Sequence, residues 1–122
     1  MRNSVLIPIE SAKIFIQMMP VDMRKSIDGL TALIVDNFSM EPQSGSIFMF
    51  YNKSRDKIKA VYWDKNGFIL HYKRLDKGRF KFSKSPVDGI LEISGHQFQW
   101  LFAGLDFQLM NEFSHLKYEP YY

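Results

Sequence analysis

The alternation of apolar and polar residues predicts an extended first segment and then a helix. Residues 7–19 follow a strand-like pattern that Pro20 ends. Ser26 is a candidate N-cap for the helix that follows. The apolar residues of this helix recur at helical spacing and are Ile27, Leu30, Ile34 and Phe38. Residues 41–45 contain Pro, Ser and Gly, which predicts a loop.

The middle of the chain predicts a β-meander, a run of antiparallel strands joined by short turns. Four successive segments have strand patterns: residues 46–51, 57–64, 68–75 and 79–82. The first of them is nearly all apolar, which is typical of a central strand buried on both faces. Asn66-Gly67 predicts a type I′ hairpin turn, because that turn needs positive φ at both of its central residues.

A second helix is predicted to begin at Ser94, after a loop at residues 83–89. Gln97 follows Ser94 at the spacing of a capping box. The apolar stripe of this helix comprises Phe98, Leu101, Phe102 and Leu105, and Gly104 is its expected stop. The predicted fold class is α+β, an antiparallel β-meander of about four to five strands with two main helices. We expect one domain over residues 1–106 and a tail over residues 107–122, either a short helix or disordered.

Composition favours one packed domain inside the cell. Of the 122 residues, 46% are hydrophobic and 16% are aromatic, which is enough for a core. Cysteine is absent, which favours a reducing compartment. No apolar run approaches the roughly 20 residues of a membrane helix, and the N-terminus has no signal-peptide pattern. We therefore expect a cytoplasmic protein with no membrane association.

Charge is distributed unevenly along the chain. Residues 53–84 contain 11 Lys and Arg against three Asp, a net charge of +8. The rest of the chain contains five basic and ten acidic residues, a net charge of −5. Such asymmetry indicates that one part of the molecule meets a polyanion.

The residue types that enzymes use do not form a recognisable motif. The three histidines are scattered, so no metal-ligand spacing occurs. Asp64 and Asp76 flank predicted turns, which suits turn formation better than metal binding. The chain has no nucleophile elbow and no Gly-rich phosphate loop. We therefore predict that it is not an enzyme and uses no metal, cofactor or small-molecule substrate.

Basic residues alternate with aromatic ones in the predicted meander, a pattern typical of sheets that hold phosphates and stack bases. The candidate nucleic-acid-binding residues are Arg55, Lys57, Lys59, Lys73, Arg74, Lys77, Arg79 and Lys81. The rings beside them are Tyr62, Trp63, Phe68, Tyr72, Phe80 and Phe82. The alternative is a solvated sheet face whose rings point into the core.

A second candidate site precedes the first helix. Asp22, Arg24 and Lys25 lie in a predicted exposed loop, next to a helix N-terminus that favours anions. We predict that this loop binds a phosphate or a partner's carboxylate. The alternative is that Asp22 pairs with Arg24 or Lys25 and caps the helix, a contribution of about 1 kcal/mol.

Several motifs resemble one known family. They are VDMRKSIDGL at residues 21–30, SGSIFMF at 44–50, KIKAVYWDKNGF at 57–68, YKRLDKGRF at 72–80 and LFAGLD at 101–106. Together they are similar to the accessory proteins, called TnpB, of the insertion-sequence-sixty-six group of bacterial transposable elements. The resemblance covers about residues 5–106. Ser26 replaces a usual Gly and Ala103 replaces a common acidic residue, outside the most specific motifs.

This resemblance implies a role in transposition, beside a separate and larger transposase that carries the catalytic acids. The expected partners are DNA at the element ends and that transposase. We therefore expect a non-catalytic accessory protein that binds DNA, the transposase or both through a basic sheet face. The alternatives are a protein-interaction module that does not bind nucleic acid and, less in keeping with the motifs, a small nuclease.

Overall fold

One five-stranded sheet organises the part of the chain that the computed structural model describes, residues 12–82 and 89–104. The strands are β1 (Ile14–Gln17), β2 (Ile47–Tyr51), β3 (Lys57–Asp64), β4 (Gly67–Arg74) and β5 (Ile90–Ile93). The helices are α1 (Ile27–Leu33), which continues into a π turn (Ile34–Phe38), and α2 (Gly95–Phe102). A short 3-10 turn (Pro42–Ser44) precedes β2.

The sheet is mixed, in the order β4-β3-β2-β1-β5. The α+β class is confirmed, but a purely antiparallel meander is wrong. Only β2, β3 and β4 form the predicted meander, whereas β1 pairs with β2 in parallel and with β5 in antiparallel orientation. The parallel pairing follows from the helix between β1 and β2. A connection through a helix returns the chain to the end of the sheet where β1 began, so β2 runs in the same direction as β1.

Strand β2 lies in the middle of the molecule, as its apolar sequence predicted. All five of its residues are buried, and strands flank it on both sides. Its Phe48 packs edge-to-face against Phe38 of the π turn, with ring centroids 5.2 Å apart. Helices cover both faces of such a strand, so every side chain is removed from water.

Each face of the sheet has its own core. The predicted apolar stripe of the first helix is confirmed for Leu30, Ile34 and Phe38, which pack on one face with residues of β2 and β3. The other core contains Phe98 and Leu101 of α2. The predicted capping box of α2 is confirmed: the Ser94 hydroxyl accepts from the Gln97 N–H at 3.1 Å, and the Gln97 side chain accepts from the Ser94 N–H at 2.9 Å.

The β3–β4 hairpin is confirmed, but its turn lies one residue earlier than predicted. Asp64 pairs with Gly67, so Lys65 and Asn66 are the central residues. Lys65 has a φ of 56°, while Asn66 is not among the residues with positive φ. The type I′ prediction at Asn66-Gly67 is therefore wrong, because Gly67 serves as the first strand residue instead.

Two segments after β4 differ from their predicted structure. Residues 79–82 do not form a strand of the sheet, although Phe80 and Phe82 are buried as their alternation suggested. Strand β5 was not predicted, because its residues, ILEI, do not alternate between apolar and polar. Most of the predicted loop at 83–89, the end of the second helix's stripe and the tail lie outside the described residues. Within residues 12–82 and 89–104, no helix is both long and apolar enough to span a bilayer.

Candidate functional site

The predicted basic residues of β3 and β4 do not share one face of the sheet. Neighbouring positions on a strand point to opposite faces, and the register pairs Lys57 with Arg74 and Lys59 with Tyr72. These residues lie on the face that α1 covers, as does Val61 of the same strand. Lys73 pairs with Ile58 and lies on the opposite face. The strands therefore cannot present these lysines together to one ligand.

Lys59 is a buried lysine with internal partners. Only 8% of its surface is exposed. Its Nζ donates to the backbone carbonyls of Met23 and Lys25, both at 2.7 Å, and lies 5.2 Å from the centre of the Tyr72 ring. These bonds satisfy the charge and fix the loop before α1. Lys59 thus has its ammonium turned inward and is a structural residue in this fold.

Lys73 makes a similar contact on the other face. It is half-buried, and its Nζ donates to the Phe102 carbonyl at 2.6 Å and lies 5.0 Å from the centre of that ring. Because Phe102 is the last residue of α2, the lysine satisfies a carbonyl that the helix leaves without an internal partner. It joins the end of α2 to β4.

The turn between β2 and β3 is built by Asn52. Its side-chain oxygen accepts from the N–H groups of Asp56 and Lys57 at 3.1 and 3.0 Å, and its amide donates to the Asp56 carboxylate at 2.6 Å. The Asn52 bond and a 3.3 Å ion pair with Lys57 lower the pKa of Asp56. Arg55 adopts a φ of 61° at the tip of the turn, with its side chain exposed.

Two backbone hydrogen bonds tie the segment after β4 to this turn. Leu75 N–H donates to the Asp56 carbonyl at 2.8 Å, and Phe80 N–H donates to the Arg55 carbonyl at 2.6 Å. The consequence is a concentration of exposed basic side chains at one end of the sheet. They are Lys53, Arg55, Arg74, Lys77, Arg79 and Lys81. Lys53 was not among the predicted nucleic-acid-binding residues, because it lies in a turn, where strand alternation does not apply.

The second predicted site lies at the same end of the sheet. Strands β1 and β2 are parallel, so the chain leaves both at one end, and the Val21 N–H donates to the Tyr51 carbonyl at 2.9 Å. Arg24 and Lys25 are exposed here, Arg24 to 92% of its side chain. We call the eight exposed cations of this region the basic end: Arg24, Lys25, Lys53, Arg55, Arg74, Lys77, Arg79 and Lys81.

Asp22 pairs with Arg24 and does not cap α1. The Arg24 guanidinium donates to both carboxylate oxygens, at 2.7 to 3.1 Å, and these bonds lower the pKa of Asp22 to about 2. The N-cap position belongs to Ser26, whose side chain makes no capping bond. An exposed pair of this kind stabilises little. The pairing of Asp22 with Arg24 is thus observed, whereas a cap of α1 by Asp22 is not.

Most of the predicted base-stacking rings are not available. Tyr62, Phe80 and Phe82 are buried in the core, and Trp63 packs edge-to-face on Phe68 with centroids 5.0 Å apart. Tyr72 is 53% exposed. Among the residues that the structure describes, no group of three or more His, Cys, Asp and Glu is placed to hold a metal ion. The exposed cations of the basic end offer electrostatic contact with anions.

Comparison with known proteins relates this chain to one protein family. The family model described as IS66 Orf2 like protein matches residues 12–112, which extends into the predicted tail. An uncharacterised protein of Sinorhizobium fredii, y4jC, is 40% identical over 81% of this chain and 84% of its own length. A second uncharacterised protein of that bacterium, y4hO, is 29% identical over 81% of this chain and 85% of its own length. No solved structure matches significantly. The chain belongs to the IS66 Orf2 like family.

Proposed function

We propose that this protein is a non-catalytic accessory factor of transposition that binds DNA through the basic end. Membership of a family named for an insertion sequence supports an accessory role in transposition. The observation that carries the DNA-binding proposal is the convergence of eight exposed cations from three separate chain segments. Asp22 offsets Arg24, Asp56 pairs with Lys57, and Asp76 is exposed in the third segment, so eight cations still outnumber three carboxylates in these segments.

The basic end would act by neutralising backbone phosphates. Arginine donates two parallel bonds to a phosphate, and each contact releases condensed counterions. Contacts of this kind fix the position of a protein on DNA without reading its sequence. Cleavage and joining of the element ends would remain with the transposase. Purified protein with Mg²⁺ or Mn²⁺ should accordingly neither cut nor join element-end DNA.

The test compares two double charge reversals. Arg55→Glu/Arg79→Glu changes the basic end, whereas Lys13→Glu/Lys65→Glu makes the same change in net charge at exposed positions beyond the other ends of β1 and β3. Binding to duplex DNA at low salt should weaken by at least about tenfold in the first variant and much less in the second. Circular dichroism and thermal melting establish that both remain folded.

The salt dependence sharpens this test. Each phosphate contact contributes roughly 0.9 to the slope of log affinity against log salt, so loss of two contacts should reduce it by about 1.8. Equal weakening in both variants would show that net charge alone matters. An unchanged affinity in the first variant would overturn the proposal.

The second candidate function is docking of the transposase. The exposed Asp22–Arg24 pair presents a carboxylate and a guanidinium side by side, which suits a protein surface better than a uniform polyanion. A pull-down of the transposase with and without element-end DNA distinguishes direct docking from a DNA bridge. Arg24→Ala should weaken direct docking and leave the melting temperature unchanged.

A further inference from the structure

A groove lies between α1, the 3-10 turn and β4, away from the basic end. Its volume is about 490 Å³. The residues that matter here are Asp28, Ala32 and Val35 on the helical side, Glu41 beside the 3-10 turn, and Phe68 on β4. Val35 is 54% exposed and so adds an accessible apolar surface to the groove. None of the lining residues belongs to the basic end.

Strand β4 borders this groove with an open backbone edge. In the described part of the chain, β3 is the one strand that pairs with β4. The Leu75 N–H donates to the Asp56 carbonyl, and Asp64 pairs with Gly67 across the hairpin. Because bonded and non-bonded residues alternate along an antiparallel strand, these two pairs determine which residues of β4 bond to β3. The N–H and C=O groups of Phe68, Leu70 and Tyr72 consequently point away from β3. An eight-residue edge of this kind is a template for another strand.

The charge of the groove indicates which strand fits. Asp28 and Glu41 are exposed carboxylates, and no Lys or Arg lines the groove. Ala32, Val35 and Phe68 supply an apolar surface between them. A chain that lies along β4 would place every second side chain towards this surface. An extended segment with apolar residues and Lys or Arg on that face would complement both the apolar surface and the two carboxylates of the groove.

We propose that an extended, cationic segment of a partner protein binds here as a sixth strand next to β4. Backbone bonds to Phe68, Leu70 and Tyr72 hold it, while apolar side chains contact Val35 and basic ones pair with Asp28 and Glu41. This is β-augmentation, in which the sheet edge supplies affinity and the groove supplies selectivity. It is independent of DNA binding, since it uses different residues.

The probe is a library of random short peptides displayed on phage, panned against the full-length protein. Val35→Arg, an exposed substitution that fills the groove and opposes its charge, is the counter-selection bait. Enriched peptides should carry Lys or Arg alternating with apolar residues. They should bind Asp28→Lys at least tenfold more weakly than wild type. Asp36→Lys, which makes the same charge change at an exposed position outside the groove lining, should bind them normally.

Amide hydrogen exchange locates the binding edge. Bound peptide should slow exchange at Phe68, Leu70 and Tyr72. The proposal is overturned if no peptide is enriched over Val35→Arg, if enriched peptides are acidic, or if protection appears at β5 instead. It is equally overturned if the three amides are already protected without peptide in a self-associated protein, since a second copy would then be the occupant.

Discussion

Two lysines of β3 and β4 show how one residue type takes different roles within a single sheet. Lys59 reaches two carbonyls of the loop before α1 and is buried, while Lys73 reaches one carbonyl at the end of α2 and is half-buried. Removing a buried donor leaves its acceptors without partners, and that cost exceeds the worth of the bond itself. Lys59 should therefore contribute more to the stability of the fold than Lys73, because it is more deeply buried.

Lys59→Met should lower the free energy of unfolding by roughly 1–3 kcal/mol, because the carbonyls of Met23 and Lys25 both lose a charged donor. Lys73→Met, the matched control, should cost about 1 kcal/mol or less, since it removes one bond at a site that water reaches. Urea denaturation measures both. If Lys59→Met leaves stability unchanged and weakens DNA binding, Lys59 contacts phosphate directly, as its sequence position suggested.

His71 makes stability depend on pH. It is half-buried and stacks on Tyr62 with ring centroids 5.7 Å apart, and burial lowers its pKa below the ordinary value of 6.5. The unfolded chain then binds the proton more readily than the folded one, so stability falls as pH drops through about 6.5. The melting temperature should fall between pH 8 and pH 5.5, and by less in His71→Gln. An identical fall in both proteins would contradict this account.

At the scale of elements, the sequence predicted which segments form strands and helices far better than how they pair. Periodicity and apolar runs are local properties, so α1, β2 and the β3–β4 hairpin were predictable from them. The parallel neighbour of β1 depends on a crossover, and the residues of β5, ILEI, do not alternate between apolar and polar. In the candidate site, alternation predicted that Lys57 and Lys59 lie on a strand where basic and aromatic residues alternate. It could not predict the depth of Lys59, which depends on packing between distant segments.

The β3–β4 turn offers a direct test of its geometry. Lys65 has a positive φ, a conformation that costs a non-glycine residue energy, whereas glycine adopts it freely. Lys65→Gly should therefore raise the free energy of unfolding by a few tenths to about 1 kcal/mol. Asn66→Gly is the control and should bring no gain. A larger gain from Asn66→Gly would restore the type I′ turn that the dipeptide Asn66-Gly67 predicted.

For the whole molecule, the chain path determines where charge collects. Three loops that are distant in sequence meet at the end of the sheet where β1, β2 and β4 finish and β3 begins. The basic end is thus a property of the tertiary structure, and the sequence showed only the part within residues 53–84. Arg24 and Lys25 join it through the parallel pairing of β1 with β2.

The position of β1 between β2 and β5 also has a consequence for how the protein is made. Ile14 pairs with Ile47 on one side and with Ile93 on the other, so both partners are distant in sequence. Contacts between distant residues form late, whereas the β3–β4 hairpin is local and can form early. On the ribosome, β1 is the first of the described strands to be synthesised, whereas its neighbour β5 is the last of them. The apolar side chains of β1 are therefore the ones that a nascent-chain chaperone would have the longest time to bind.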